Sequence, residues 1–205
     1  MEIFDCTSDE LTALRVKDKK LAAVIDQIGI IERPINSDVF AALIQSIVSQ
    51  QISAAAALTV GNRLSALCGK ITPSKISVLD IDEIQRCGMS ARKAGYIKAA
   101  AQAAQAGQLD FSALPKLPDE QVIEQLTALP GVGVWTAEML LIFSLQRRDV
   151  LSFGDLAIRR GLCRLYGHRE ITKELFARYK RRYSPYGSIA SLYLWELSHQ
   201  DSVKL

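Results

Sequence analysis

Apolar residues recur at three- and four-residue spacing along most of this 205-residue chain, and no stretch alternates over a strand's length. That periodicity places one apolar stripe on each of a series of helices. It holds in DELTALRVKDKKLAAVIDQIG from Asp9, SDVFAALIQSIVSQ from Ser37 and SAAAALTVGNRLSALCG from Ser53. Each is opened by Ser or Asp, whose side-chain oxygen satisfies a first-turn amide. DIDEIQRCG then closes at Gly88, SARKAGYIKAAAQAAQAG closes at Gly107, and PDEQVIEQLTAL opens at Pro118. Glycine at helix ends and Ser or Pro at helix starts is the asymmetry that helix termini impose. TAEMLLIFSLQ, DLAIRRGLCRLYG, TKELFARYKRRYS and SIASLYLWELSHQ complete about ten short helices. The expectation is an all-α fold. The alanine-rich run from Ala99 to Ala106 is a good helix former with a small packing face, and no internal repeat is visible.

With 49% hydrophobic residues the chain has ample material for a core. It lacks both a run of about 18 apolar residues and a secretory leader pattern at its start, so a soluble intracellular protein with no membrane partner is expected. Cys6, Cys68, Cys87 and Cys163 lie far apart, and neither they nor His168 and His199 show metal-ligand spacing. They read as buried thiols and ordinary surface or core histidines. Charge is more informative by position than in total. Leu156 to Pro185 holds nine Lys or Arg against Glu170 and Glu174, a local +7 on a chain of net +3, so the remainder is net negative. A basic segment on an otherwise acidic protein suits a polyanion, because clustered cations displace counterions from phosphates. It suits a solvated helical face as well.

The stretch LPGVGVWTAEMLLIF, from Leu129 to Phe143, joins two helices by a very tight turn. Pro130 stops the first helix, and the glycines permit positive φ. Backbone amides beside a helix N-terminus can bond a phosphate without reading base sequence. Taken alone, the turn is equally an ordinary helix-helix connection.

The ordered set Leu-Pro-Gly-Val-Gly, Trp-Thr-Ala, Val150 and Asp155 resembles the helix-hairpin-helix DNA glycosylase superfamily. SQQIS (Ser49 to Ser53), RCGMSARKAGYIKAAA (Arg86 to Ala101) and WELSHQD (from Trp195) make the chain similar to its alkylbase branch, 3-methyladenine DNA glycosylase II, over residues 36 to 200. The resemblance implies a single glycosylase unit over 1–205. One lobe would cover about 36–116, and a hairpin and catalytic lobe about 117–205 together with the N-terminal segment. The chain departs from relatives in two ways: about 35 residues before the core helices are too few for the extra N-terminal β lobe, and with no cysteine after Cys163 no iron-sulfur loop is expected.

The activity it implies is base-excision repair, in which a monofunctional enzyme flips out and hydrolyses off alkylated purines such as 3-methyladenine and 7-methylguanine. The partner would be double-stranded DNA carrying damaged bases, met by a monomer in the nucleoid-containing cytoplasm of a prokaryote or in a eukaryotic nucleus. Three other readings stay open: a bifunctional glycosylase/lyase, a glycosylase for uracil or for mismatched thymine or adenine, and a noncatalytic DNA-binding module.

Asp155 takes the catalytic position. Breaking an N-glycosidic bond leaves cationic character on the sugar, which an ionised carboxylate stabilises while orienting or deprotonating water. Its plain reading is a helix N-cap, and the two roles are compatible. Gln51 aligns with the residue that fills the vacated base stack, flanked by Gln50 and Ser53; helix capping is the simpler reading of all three. Gly131, Val132, Gly133 and Thr136 of the hairpin, with Arg159 and Arg160 downstream, are the expected DNA contacts, one of the arginines being equally suited to a structural ion pair. Trp135, Tyr186 and Met139 fall where relatives place base-pocket residues, and an aromatic face attracts a cationic purine. Trp135 and Tyr186 also read as core aromatics. Trp135 stands where bifunctional members carry a Schiff-base lysine, so no amine nucleophile is expected. No cofactor is expected, beyond a structural Na+ or K+ on the backbone carbonyls of Thr127, Leu129 and Val132 as in relatives.

Overall fold

Side-chain oxygens cap most of the helices, some at residues the sequence marks and others, Thr7, Asp18 and Thr72 among them, at residues it does not. Thr7, Asp18, Asp38, Ser53, Thr72, Ser90, Asp155 and Thr172 each accept a first-turn amide of the helix that follows. The computed structural model describes residues 2–199. Its α-helices are α1 (Ser8–Lys17), α2 (Lys19–Ile28), α3 (Val39–Ser49), α4 (Ala54–Cys68), α5 (Pro73–Val78), α6 (Ile81–Gln85), α7 (Ala91–Gln105), α8 (Asp119–Thr127), α9 (Val134–Phe143), α10 (Leu156–Tyr166), α11 (Lys173–Tyr183) and α12 (Gly187–His199). Two-residue strands β1 (Ile3–Phe4) and β2 (Arg33–Pro34) pair antiparallel, Ile3 opposite Pro34 and Phe4 opposite Arg33. So small a sheet leaves the fold all-α. The helix count exceeds ten for two reasons: Asp18, in extended conformation, breaks the first periodic segment into α1 and α2, and Thr72-Pro73 starts α5 in a segment too short to show periodicity. Gln200 and Asp201 of WELSHQD lie outside the described residues.

The chain forms two compact units, Asn36–Leu145 and Met1–Ile35 with Gln146–Leu205. The division differs from the one expected near residue 116, because α9 packs on α8 and on α3 and so joins the hairpin to the unit that begins at Asn36.

In the unit 36–145, α3 buries Val39, Phe40, Leu43, Ile44, Ile47 and Val48 and packs against α4, α7 and α9. Helix α7 also covers α5 and α6. Two of its lysines close the ends of neighbouring helices. The Lys93 ammonium donates to the carbonyls of Val48 (2.8 Å) and Gln50 after α3, and that of Lys98 to Ser77 (2.7 Å) and Leu79 after α5. The last carbonyls of a helix have no intrahelical partner and favour a cation.

In the other unit, α10 lies closely along α12, which is buried almost throughout. Gly161 permits that approach, since a Cβ there would sit 2.3 Å from the Leu194 carbonyl oxygen. Asp18 ties the N-terminal helices to α10 and α11. Its Oδ1 accepts Leu21 N (2.9 Å), and its Oδ2 accepts the hydroxyl of Tyr166 (2.5 Å) and the guanidinium of Arg182 (2.7 Å). Burial opposes ionisation of Asp18, but these donors together hold its carboxyl below the usual aspartate range. Burial and the adjoining Asp18 carboxylate raise the Tyr166 phenol well above its ordinary value.

Candidate functional site

The hairpin is assembled from short-range bonds. Beyond α8, Leu129 N donates to Leu126 O (3.1 Å) and Val132 N to Leu129 O (3.2 Å), carrying the chain round Pro130 and Gly131. Gly131 has φ +79°, and an added Cβ would fall 2.1 Å from Cδ2 of Tyr96, so the turn lies directly on that ring. Only glycine meets both demands. Gly133 differs. It caps α9 at φ −100° and ψ 171°, offers no side-chain oxygen, and has no atom within 4 Å of where a Cβ would be. Nothing in the fold requires glycine there, so its bareness leaves the first-turn amides of α9 open to close approach by an external acceptor.

Val134 and Trp135 follow, 55% and 45% exposed on an otherwise apolar helix. The core reading of Trp135 is thereby excluded. Met139, one turn further along α9, is half-buried. Thr136, also expected to contact DNA, is 4% exposed, so that role falls to its backbone amide. Val132 is buried too, so its contribution is likewise limited to the backbone.

Between α3 and α4 the chain makes a tight turn, with Gln50 at φ −54° and ψ 127°, Gln51 at φ +59°, and Ile52 N donating to Ser49 O (3.5 Å). These angles are those of a type II turn, which ordinarily places Gly or Asn where Gln51 stands. Gln51 and Ile52 are exposed. Ser53 accepts Ala56 N (3.3 Å) and so serves as the cap of α4. The Gln50 side-chain amide donates to Gly131 O (3.0 Å), joining this turn to the hairpin across 81 residues of sequence. The structure thus brings SQQIS and LPGVG together. Lys93 and Tyr96 support the pair from beneath, and sequence reasoning assigned neither a role. Their spacing of three on α7 puts them on one helix face, the signal that was present in RCGMSARKAGYIKAAA.

Asp155, Arg159, Arg160 and Tyr186 belong to the other unit. Asp155 is 7% exposed at the N-terminus of α10, where its Oδ1 accepts Ala157 N (2.8 Å) and Ile158 N (3.0 Å). The capping role is therefore realised. Arg159 is half-buried, its guanidinium 5.0 Å from the Phe153 ring centroid, whereas Arg160 is exposed. Tyr186 is half-buried just ahead of α12. No cluster of three or more His, Cys, Asp or Glu suited to a metal occurs among the described residues.

A bare glycine turn between α8 and α9, with an aspartate opening a later helix, defines a helix-hairpin-helix protein. The chain belongs to the HhH-GPD superfamily of base excision DNA repair proteins, whose family model matches residues 44–185. It is 37% identical over 161 residues to DNA-3-methyladenine glycosylase 1 of Schizosaccharomyces pombe, covering 76% of this chain and 71% of that one. Among solved structures, the DNA-3-methyladenine glycosidase of Bacillus halodurans superposes with a TM-score of 0.87 at 35% identity, covering 98% of this chain and 94% of the other. The S. pombe 3-methyladenine DNA glycosylase in complex with abasic DNA gives 0.80 at 31% identity, covering 95% and 98%.

Proposed function

We propose that this protein is a monofunctional DNA glycosylase that hydrolyses the N-glycosidic bond of alkylated purines, 3-methyladenine and 7-methylguanine, in duplex DNA. The observation that carries the reading is Asp155, a carboxylate fixed at a helix N-terminus in a chain whose hairpin offers bare backbone amides. The names of its relatives support the substrate class. Double-stranded DNA is then the partner, held through its phosphates by the α9 amides and by Arg160. The target nucleotide leaves the stack, Gln51 fills the gap, and the extruded base meets Trp135 and Met139 on α9.

A purine methylated at N3 or N7 carries a positive charge and departs as a neutral base, taking the bonding electron pair from C1′. The sugar is left cationic, and Asp155 stabilises it. Water then adds to C1′ and loses a proton to the carboxylate or to solvent, giving an abasic site and a free base. Stacking on Trp135 favours the cationic base over the neutral one. The carbonyls of Thr127, Leu129 and Val132 would hold a monovalent cation that neutralises phosphate charge at the hairpin. The chemistry at the sugar is assigned to side chains alone.

The decisive experiment is to incubate methylated duplex DNA with the wild type and with Asp155→Asn and to identify the released bases. Asn caps a helix as well as Asp does, so the variant removes charge and leaves α10 intact. Base release is expected to fall by at least about 100-fold, the scale of one lost transition-state electrostatic partner. Near-normal turnover overturns the mechanism, and release of bases only from companion duplexes that hold uracil or a mismatched thymine or adenine overturns the substrate assignment.

A further inference from the structure

We propose that Lys93 is a positioning residue, holding the Gln50-Gln51 turn in the one backbone conformation that presents Gln51 outward and, through the Gln50 amide, locking that turn to the hairpin. The inference rests on the reading of Gln51 as the residue that fills the vacated stack. Three observations carry it. Gln51 adopts positive φ, which costs a non-glycine residue free energy and persists only where its surroundings impose it. The Lys93 ammonium binds both Val48 O and Gln50 O, and the Gln50 carbonyl belongs to the peptide whose orientation sets φ of Gln51. The Gln50 side chain donates to Gly131 O, which ties the turn to the phosphate-facing hairpin.

Lys98 supplies an internal contrast. It grips two carbonyls at the end of α5 in the same way, but Asp80, the residue that follows the gripped Leu79 carbonyl as Gln51 follows that of Gln50, keeps an ordinary extended backbone (φ −74°, ψ 151°). A lysine that merely closes a helix end is thus present on the same element. Lys93 adds to that duty the control of a strained turn.

The readout is the ratio of affinities for duplex bearing a reduced abasic-site analogue, which offers a gap to fill, and for undamaged duplex, which offers only backbone. Lys93→Met should lower that ratio about tenfold, as Gln51→Ala should, a difference of about 1.4 kcal/mol. The double variant should lose no more than Gln51→Ala alone, because both remove the same interaction. Lys98→Met should lower the melting temperature and leave the ratio unchanged. Fluorescence of 2-aminopurine beside the abasic analogue should drop back in Lys93→Met, reporting a gap left unfilled.

Losses that add in the double variant, or a Lys93→Met protein with a wild-type ratio, overturn the positioning role while the Gln51 reading stands. A wild-type ratio in Gln51→Ala overturns both, and is distinguished by that single variant. Should Lys93→Met be poorly folded, Lys93→Gln carries the same comparison with a neutral donor in place of the ammonium.

Discussion

A methyl group added at position 131 and one added at 133 ask different questions of the hairpin. Gly131→Ala must force positive φ and displace the Tyr96 ring, so it is expected to destabilise the fold by about 1–3 kcal/mol and to weaken DNA binding as a consequence. Gly133→Ala meets neither obstacle. Its melting temperature should match the wild type, yet its methyl stands where a phosphate must approach, so affinity should fall about tenfold for lesion and plain duplex alike. Anisotropy on both duplexes beside a thermal melt separates the two variants; a loss confined to lesion DNA at position 133 would contradict the phosphate role. Trp135 permits a further test: it is 45% exposed, and a thermal melt of the variant separates lost packing from lost stacking on the base. Trp135→Ala should cut excision of 3-methyladenine about 5- to 30-fold, the range of a partly desolvated cation-π contact. Binding to an abasic analogue should be spared, since no base is there to stack. Equal losses in both assays would assign Trp135 to DNA backbone or fold instead of to the base.

Elements were legible where a local rule governs them. The capping residues Ser53, Ser90 and Asp155 and the closing glycines gave the helices, and the Pro-Gly-Val-Gly turn gave the hairpin, because each depends on atoms a few residues apart. What stayed hidden depends on distant partners. Asp18 caps α2 locally through Leu21 N, but its bonds to Tyr166 and Arg182 cross 148 and 164 residues, and the grip of Lys93 on the α3 terminus crosses 43 to 45. The site residues were named from motif order, but burial, which separates Trp135 from Thr136, is a property of the packed helix. The Asp18 junction yields a pH prediction. Because the folded carboxyl is held below its unfolded value, its contribution is complete above the unfolded range near pH 4 and is lost as pH falls through the folded value. Asp18→Asn retains a capping oxygen but loses the charge. It is expected to be about 1–3 kcal/mol less stable than wild type at pH 7, with the difference shrinking as both proteins are titrated toward pH 3 in urea unfolding series. A difference independent of pH would mean that packing, not charge, holds the junction.

At the scale of the whole molecule, charge and chemistry are distributed differently along the chain. Eight of the nine cations between Leu156 and Pro185 are exposed, Arg159 being half-buried, although Arg182 is bound to Asp18 and Arg164 to the Leu197 carbonyl. That basic segment follows Asp155 in sequence and suits attraction of a phosphate backbone; seven of its cations are guanidinium groups, which do not form Schiff bases, and two are the amines of Lys173 and Lys180. A lyase step needs a neutral amine that reaches C1′. Burial lowers the Lys93 amine, which by itself would make that lysine the suspect nucleophile. Its hydrogen bonds to Val48 O and Gln50 O instead commit it to the end of α3. The expected product is therefore an unbroken strand carrying an abasic site, cleaved only on later treatment with alkali. Incubating wild type with methylated or abasic duplex in the presence of borohydride should trap no covalent adduct. Strand scission without added base, together with a borohydride-trapped species, would show that a lysine does attack C1′; peptide mapping of that adduct would name it, and trapping at Lys93 would also overturn its assignment to the turn.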